Sequence, residues 1–277
     1  MAQDHEFAAA RAFLLQTYGY YSTLMESARA ESEPIASGSS HLGGQLFWAG
    51  ELDGPGRPLV VAGNIAGAAS LAATNNTEAQ RQAVRDGSVD FLVNSLDEAL
   101  RILKNEVRKR ATVAVCVAAP VDAVEQEMVE RGVQPDVLRE GVVRAAERTA
   151  ARSEPGNAES DPMSVRALVT WHVDRAPALW LPKLDAVALE CLAPEETIAR
   201  LWLQRSSRYL GRMGQAMHLV WSNREFAARM FERVGAMAGR DELTVPGSLE
   251  ATWPGMHNDP LRDRLRFGPS AESAPQA

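Results

Sequence analysis

Apolar runs and amphipathic stretches alternate along the middle of this chain, a pattern typical of a parallel α/β sheet. Short uncharged apolar runs suit strands that are covered on both faces. Such runs predict strands at 58–62, 89–93 and 112–117, with a shorter one at 45–49. Apolar residues at spacings of three and four, or a capping box such as Ser95-x-x-Glu98, predict helices at 4–30, 66–74, 78–85, 96–110 and 121–131. We therefore predict an α/β fold with a Rossmann-like, doubly wound parallel sheet.

A second block with strands and helices follows after about residue 160. Its pattern predicts strands at 165–173, 186–192 and 217–221, and helices at 195–210 and 224–234. Between the blocks, residues 153–162 (SEPGNAESDP) have the composition of a linker. We predict an N-terminal helix and connecting segment at 1–56, a Rossmann-like domain at 57–152, a smaller α/β domain at 163–254 and a loose tail at 255–277.

The glycine-containing turn after the run at 58–62 is the best candidate for a binding site. Glycines allow a phosphate to approach the backbone, and a following helix start would supply N–H groups to bind it. We predict as nucleotide contacts the residues Gly63, Asn64, Ile65, Gly67 and Ala68. The pattern is G-x-x-x-G-A rather than the full G-x-G-x-x-G, so a turn that serves packing alone is the alternative.

Charge and cysteine usage narrow the function classes. The net charge of −7 over 277 residues argues against a nucleic-acid-binding surface. The sequence has neither a signal peptide nor an apolar run long enough for a membrane span, so we expect a cytoplasmic protein without a membrane partner. Cys116 and Cys191 each lie in an apolar run, typical of buried thiols. No histidine or cysteine pair has metal-ligand spacing, and we predict no metal.

The catalytic residues stay unassigned at this stage. His172 and His218 lie in apolar runs, where a hydrogen-bonded structural histidine is favoured over a general base. Four tryptophans of the second block could anchor a homodimer, although core packing is the simpler interpretation; they are Trp171, Trp180, Trp202 and Trp221.

Three pieces of the central stretch resemble the NAD-binding domain of urocanase (urocanate hydratase). They are GRPLVVAGNIAGAASLAAT at 56–74, NSLDEALRIL at 94–103 and VAVCVAAPVDAVEQEMVERGVQPDV at 113–137. The resemblance implies a Rossmann-like fold and NAD as the cofactor. It also implies that Gly63 and Gly67 correspond to glycines of the family's GGMGGAQPLAAT-like turn.

The chain departs from that family where the site would lie. The turn has fewer glycines, and Ala118-Ala119-Pro120 replaces a Gly-Asn-Ala-Ala turn. Residues 137–141 (VLREG) stand where a Gln-Thr-Ser-Ala-His-Asp loop is expected. We therefore expect a divergent urocanase-like protein that has lost hydratase activity and acts as a nucleotide-binding or scaffold protein. The alternative is an NAD-dependent lyase or oxidoreductase whose catalytic groups come from the C-terminal block, such as His172, His218 or Tyr209.

Overall fold

The structure, a computed structural model, describes residues 2–31, 42–54, 56–152, 166–253 and 262–268. The chain divides into two compact units. Residues 12–148 and 208–212 form what we call the parallel unit, and residues 1–11, 149–207 and 213–277 form the antiparallel unit. The predicted linker at 153–162 lies outside the described residues, as does most of the predicted tail.

The parallel unit has five strands, all paired in parallel in the order β3-β4-β2-β1-β5. The strands are β1 (Leu46–Glu51), β2 (Ala69–Ala73), β3 (Phe91–Val93), β4 (Val113–Val117) and β5 (Val137–Leu138). The helices are α1 (Ala2–Glu31), which begins in the antiparallel unit, α2 (Gly56–Ala66), α3 (Thr77–Arg85), α4 (Leu96–Lys109), α5 (Val121–Glu130) and α6 (Arg139–Arg152).

Helices cover both faces of this sheet. On one face α4 and α5 pack against alternate strand residues such as Trp48, Leu71 and Val115, which form one buried apolar cluster with them. On the other face α2 lies so close to β1 and β2 that a side chain at Gly63 would touch Phe47 and Ser70. The predicted Rossmann-like, doubly wound α/β fold is confirmed.

The predicted types of two neighbouring elements of the parallel unit are wrong: the predicted strand is a helix, and the predicted helix is a strand. Residues 58–62, predicted as a strand, lie inside helix α2, and residues 69–73, predicted as helix, form the central strand β2. Every residue of α2 except Arg57 is buried, so this helix has no polar face to reveal its period. Strand β2 is buried throughout and consists of small residues and Leu71, so it lacks the β-branched signature of a strand.

The antiparallel unit contains a four-stranded sheet in the order β7-β6-β8-β9, all pairs antiparallel. Its strands are β6 (Ala167–Val173), β7 (Met217–Ser222), β8 (Gly247–Thr252) and β9 (Arg262–Phe267). The helices that follow β6 and β7 are α7 (Pro177–Cys191), α8 (Thr197–Tyr209), whose last two residues belong to the parallel unit, and α9 (Arg224–Gly239). Helix α9 packs on β6, β8 and β9.

Two predictions for the C-terminal block are wrong. Residues 186–192 belong to α7 instead of a strand: its buried residues Trp180, Leu184 and Ala188 recur at the helical spacing, despite Pro182 inside the helix. Strand β9 lies within the predicted loose tail and completes the sheet beside β8. Within the described ranges, no helix is both long enough and apolar enough to cross a membrane.

Candidate functional site

The topology of the parallel sheet defines where a ligand would lie. The chain moves in one direction across the sheet through α2 and α3, and in the other direction through α4 and α5. Because such crossovers are right-handed, the two pairs of helices lie on opposite faces. The neighbouring strands β2 and β4 therefore send their chains to opposite faces, and the crevice at their carboxyl ends is the expected binding position.

Polar side chains at the end of β2 bind one another and the start of α3. Asn76 caps α3, its Oδ1 accepting from the backbone N–H of Glu78 (3.0 Å) and Ala79 (3.3 Å). Asn76 Nδ2 donates to Asp53 Oδ2 at 3.1 Å, which joins the end of β2 to the turn after β1. The amide of Gln80 donates to the carbonyl oxygen of Thr74 at 2.8 Å. The donors and acceptors at this edge therefore already have structural roles.

The turn that leads from β1 into α2 is the strand–turn–helix connection that begins the Rossmann-like sheet. Gly50 and Gly54 have φ values of 73° and 52°, in the region that favours glycine. The N–H of Gly56 donates to the carbonyl oxygen of Asp53 at 3.0 Å, so the turn folds tightly onto itself. Residues 50–58 (GELDGPGRP) predict a tight turn that leads into a strand, whereas the turn leads into helix α2. Gly54, Gly56 and a proline inside the first helical turn were the signal for a helix start.

Two carboxylates and a thiol lie near the carboxyl ends of β1 and β4. Burial raises the pKa of Cys116 from 9.0 to about 12; the backbone hydrogen bond with Thr74 opposes this shift, and the charges of Glu51 and Asp53 add to it. The thiol donates to the carbonyl oxygen of Val117 at 3.6 Å. Oε1 of Glu51 is buried and has no hydrogen-bond partner in the described part of the chain. The thiol is therefore neutral and a poor nucleophile below pH 9.

We expect Cys116 to resist alkylation by iodoacetamide in the folded protein below pH 9 and to react after unfolding in urea. Because folding raises the thiol pKa, the stability that the neutral thiol contributes is present below pH 9 and is lost as the pH rises towards 12. Mass spectrometry of labelled peptides measures the first effect, and urea unfolding across pH 9 to 12, with Cys116→Ala as reference, measures the second. Rapid native labelling would contradict the burial.

The five predicted nucleotide contacts lie together, at the other edge of the sheet. Gly63, Asn64 and Ile65 are in the last turn of α2, and Gly67 and Ala68 connect it to β2; all five are buried. Asn64 Nδ2 donates to the carbonyl oxygen of Ser88 at 3.0 Å. The turn thus follows a helix and precedes a strand, so the helix N-terminus on which the prediction depended is absent there. Contact with a nucleotide stays a prediction, without that geometric support.

Gly63 has a packing role that can be tested without any ligand. A Cβ at this position would lie 2.7 Å from Ser70 Oγ and 2.8 Å from the ring of Phe47, both of them in the sheet below α2. We expect Gly63→Ala to lower the free energy of unfolding by about 1–3 kcal/mol, as overpacking of a core does. Urea denaturation measures it. Gly141→Ala in α6, where a Cβ meets no atom within 4 Å, is the control, and equal effects would contradict the packing role.

The described residues do not fit the pyrophosphate of NAD, the cofactor that the resemblance implies. In the first turn of α2, the N–H of Gly56 is already bonded to Asp53, and Pro58 has none. The nearby cation Arg57 is paired with Asp86 and Ser88 instead of facing the turn. Glu51 and Asp53 add negative charge at this position.

A metal site is a separate question. No three His, Cys, Asp or Glu side chains among the described residues are placed to hold one ion.

The antiparallel unit contains a buried polar network. His218 Nδ1 lies 2.8 Å from Asp185 Oδ1, and Trp171 Nε1 donates to the same oxygen at 2.9 Å. All three side chains are buried, with His218 only 4% exposed. His172 is half-buried, 3.3 Å from Asp174; burial lowers its pKa, and the charge of Asp174 partly offsets this. The sequence placed His218 in the core correctly, but it gave no signal for Asp185 as its partner.

A parallel, doubly wound sheet with a glycine-containing turn after its first strand defines a Rossmann-like α/β domain. Residues 17–143 match the family model of the urocanase Rossmann-like domain. The chain therefore contains a urocanase Rossmann-like domain, and the resemblance found in the sequence is confirmed. The match spans just under half of the chain and ends before residue 149, where the main part of the antiparallel unit begins.

Proposed function

We propose that the urocanase Rossmann-like domain of this protein has lost the hydratase reaction and serves as a scaffold or ligand-binding domain. The observation that carries the proposal is the chemistry at the carboxyl edge of the sheet. Adding water to a double bond needs groups that donate and accept protons at the reacting atoms. The described residues of the parallel unit include no histidine, and Cys116 is held as a neutral thiol.

The hydrogen bonds at the same edge support a structural role. Asn76 uses its oxygen to cap α3 and its amide to hold Asp53, while Gln80 is bonded to Thr74. Side chains that already satisfy backbone groups cannot be turned towards a substrate without leaving those groups unpaired, at a cost of about 1–3 kcal/mol each. This supports a domain whose polar edge stabilises the fold.

An assay of urocanate turnover tests the proposal. Purified full-length protein, shown by circular dichroism to be folded, is incubated with urocanate in the presence and absence of NAD, with an active urocanase as positive control. We expect the ultraviolet absorbance of urocanate to stay constant. Turnover at ordinary enzyme rates, on the order of 1 s⁻¹ or more, would contradict the proposed loss of activity.

A second candidate function is an NAD-dependent lyase or oxidoreductase that uses the antiparallel unit. The contact between His218 and Asp185 favours it, because a carboxylate on Nδ1 leaves Nε2 available to exchange a proton. Against it, the His218 ring is buried. Diethyl pyrocarbonate distinguishes the two roles: an accessible catalytic ring is modified in the native protein, whereas we expect His218 to be protected and the more exposed His172 to react.

A homodimer and a cytoplasmic location stay predictions. Trp171, Trp180 and Trp202 are buried, which favours core packing over a role as exposed dimer anchors. The edge strand β3 instead exposes Phe91 (47%) and Leu92 (42%), which a second copy could cover. Light scattering at high protein concentration tests the dimer, and a monomer there would remove it.

A further inference from the structure

The start of α2 is the position at which a Rossmann-like domain would hold a phosphate. In this protein the first turn of α2 has few unpaired backbone N–H groups. Such binding uses the unpaired N–H groups in the first turn of the helix after β1. Since the N–H of Gly56 donates to Asp53 and Pro58 has none, at most those of Arg57 and Leu59 remain. The backbone of Gly56 also packs directly against the carbonyl oxygen of Glu51, which leaves little space between strand and helix.

The carboxylate of Asp53 belongs to this same turn. Its backbone oxygen accepts from the first residue of α2, and its Oδ2 accepts from Asn76, the residue that caps α3. One negative charge therefore lies in the turn before α2 and is hydrogen-bonded to the residue that caps α3. Helix dipoles favour negative charge at their N-termini, whether it comes from a ligand phosphate or from a side chain.

The other charged groups around the turn are a second carboxylate and two arginines. Glu51 brings a second carboxylate, at the end of β1. Arg57 is paired with Asp86 and also donates to Ser88. Arg139, at the end of β5, packs over Gly50, and β5 adjoins β1 on the side away from β2. The turn thus contains two carboxylates, and the cation nearest to its first glycine is Arg139.

We propose that Asp53 is a built-in anion that takes the place of a ligand phosphate and closes this Rossmann-like turn to dinucleotides. The domain then does not hold NAD by its pyrophosphate, and a ligand at this edge is one without phosphate groups. This inference deepens the proposed function. It rests on that function because both assign ligand binding, and not hydration, to the carboxyl edge of the parallel sheet. Its test does not depend on turnover.

The experiment measures binding of NAD and of inorganic pyrophosphate by isothermal titration calorimetry and by thermal shift. It uses the full-length protein as wild type, Asp53→Asn and Asp122→Asn. The asparagine keeps an oxygen that can accept from Asn76 but removes the charge. Asp122 is an exposed acid in the first turn of α5, after β4 at the same sheet edge, and is the matched control. We expect no detectable binding to wild type or Asp122→Asn, and binding of both ligands to Asp53→Asn that is at least about tenfold tighter than the weakest binding the titration detects.

Glu51→Gln is the second variant, which keeps the inference testable if Asp53→Asn does not fold. It removes the other carboxylate without changing the Asp53 turn, so we expect a smaller gain in the same direction. Binding of NAD to the wild type would overturn the inference, as would a failure of every folded variant to gain affinity for pyrophosphate. NAD binding without urocanate turnover would overturn this inference alone, whereas NAD-dependent turnover would contradict the proposed function as well.

Discussion

Replacing Asp185 with alanine is expected to lower the free energy of unfolding by about 3–5 kcal/mol. Asp185 lies in α7 and accepts from Trp171 in β6, and it is bonded to His218 in β7. Its removal leaves two buried side chains without their acceptor, and each unsatisfied buried donor costs about 1–3 kcal/mol. It also leaves a cavity between the helix and the sheet. Urea denaturation followed by tryptophan fluorescence measures the change, since Trp171 lies within the network.

Asp174→Ala is the matched control for this prediction. Asp174 also contacts a histidine of the same unit, but its side chain is 52% exposed. Exposed ion pairs contribute about 0–1 kcal/mol, so this variant should unfold almost like the wild type. An equal loss of stability in the two variants would contradict the prediction that the buried hydrogen bonds of Asp185 stabilise the packing of α7 on the sheet.

Gly56→Ala is expected to lower the free energy of unfolding by at least about 3 kcal/mol, or to prevent folding of the parallel unit. A Cβ at this position would overlap the backbone oxygen of Glu51, which is the last residue of β1 and cannot move without disturbing the strand. The atom in the way is backbone, so no side-chain rotation relieves the overlap. Circular dichroism and urea denaturation measure the effect.

Gly19→Ala supplies the contrasting case. Gly19 lies inside helix α1, and a Cβ there meets no atom within 4 Å. Alanine is the better helix former by about 0.8–1.0 kcal/mol, so this variant should be slightly more stable than the wild type. A destabilisation as large as that of Gly56→Ala would show that the loss does not come from the overlap with Glu51.

Local signals in the sequence predicted several elements well. Helix α4 begins as the capping box predicts: Ser95 Oγ accepts from the N–H of Glu98, and Glu98 returns a carboxylate oxygen to the N–H of Asn94. Its buried residues Leu96, Ala99 and Leu103 follow the helical period. These features were readable because a helix with one face in water carries its cap and its amphipathic pattern in its own residues.

The amino-acid sequence is enough to predict a Rossmann-like α/β domain of the urocanase type, because ordered motifs and exposed helices carry that information locally. The sequence does not distinguish helix α2 from strand β2, because both are buried and burial removes the polar face that reveals a period; the three-dimensional fold distinguishes them. With α2 and β2 so assigned, the glycine turn before the first helix of the sheet lies at residues 50–56 instead of 63–67. Asp53, Asn76 and Cys116 come from three different strand ends and lie at one edge of the sheet. Parallel pairing of the strands brings them together, and their spacing along the chain does not predict it.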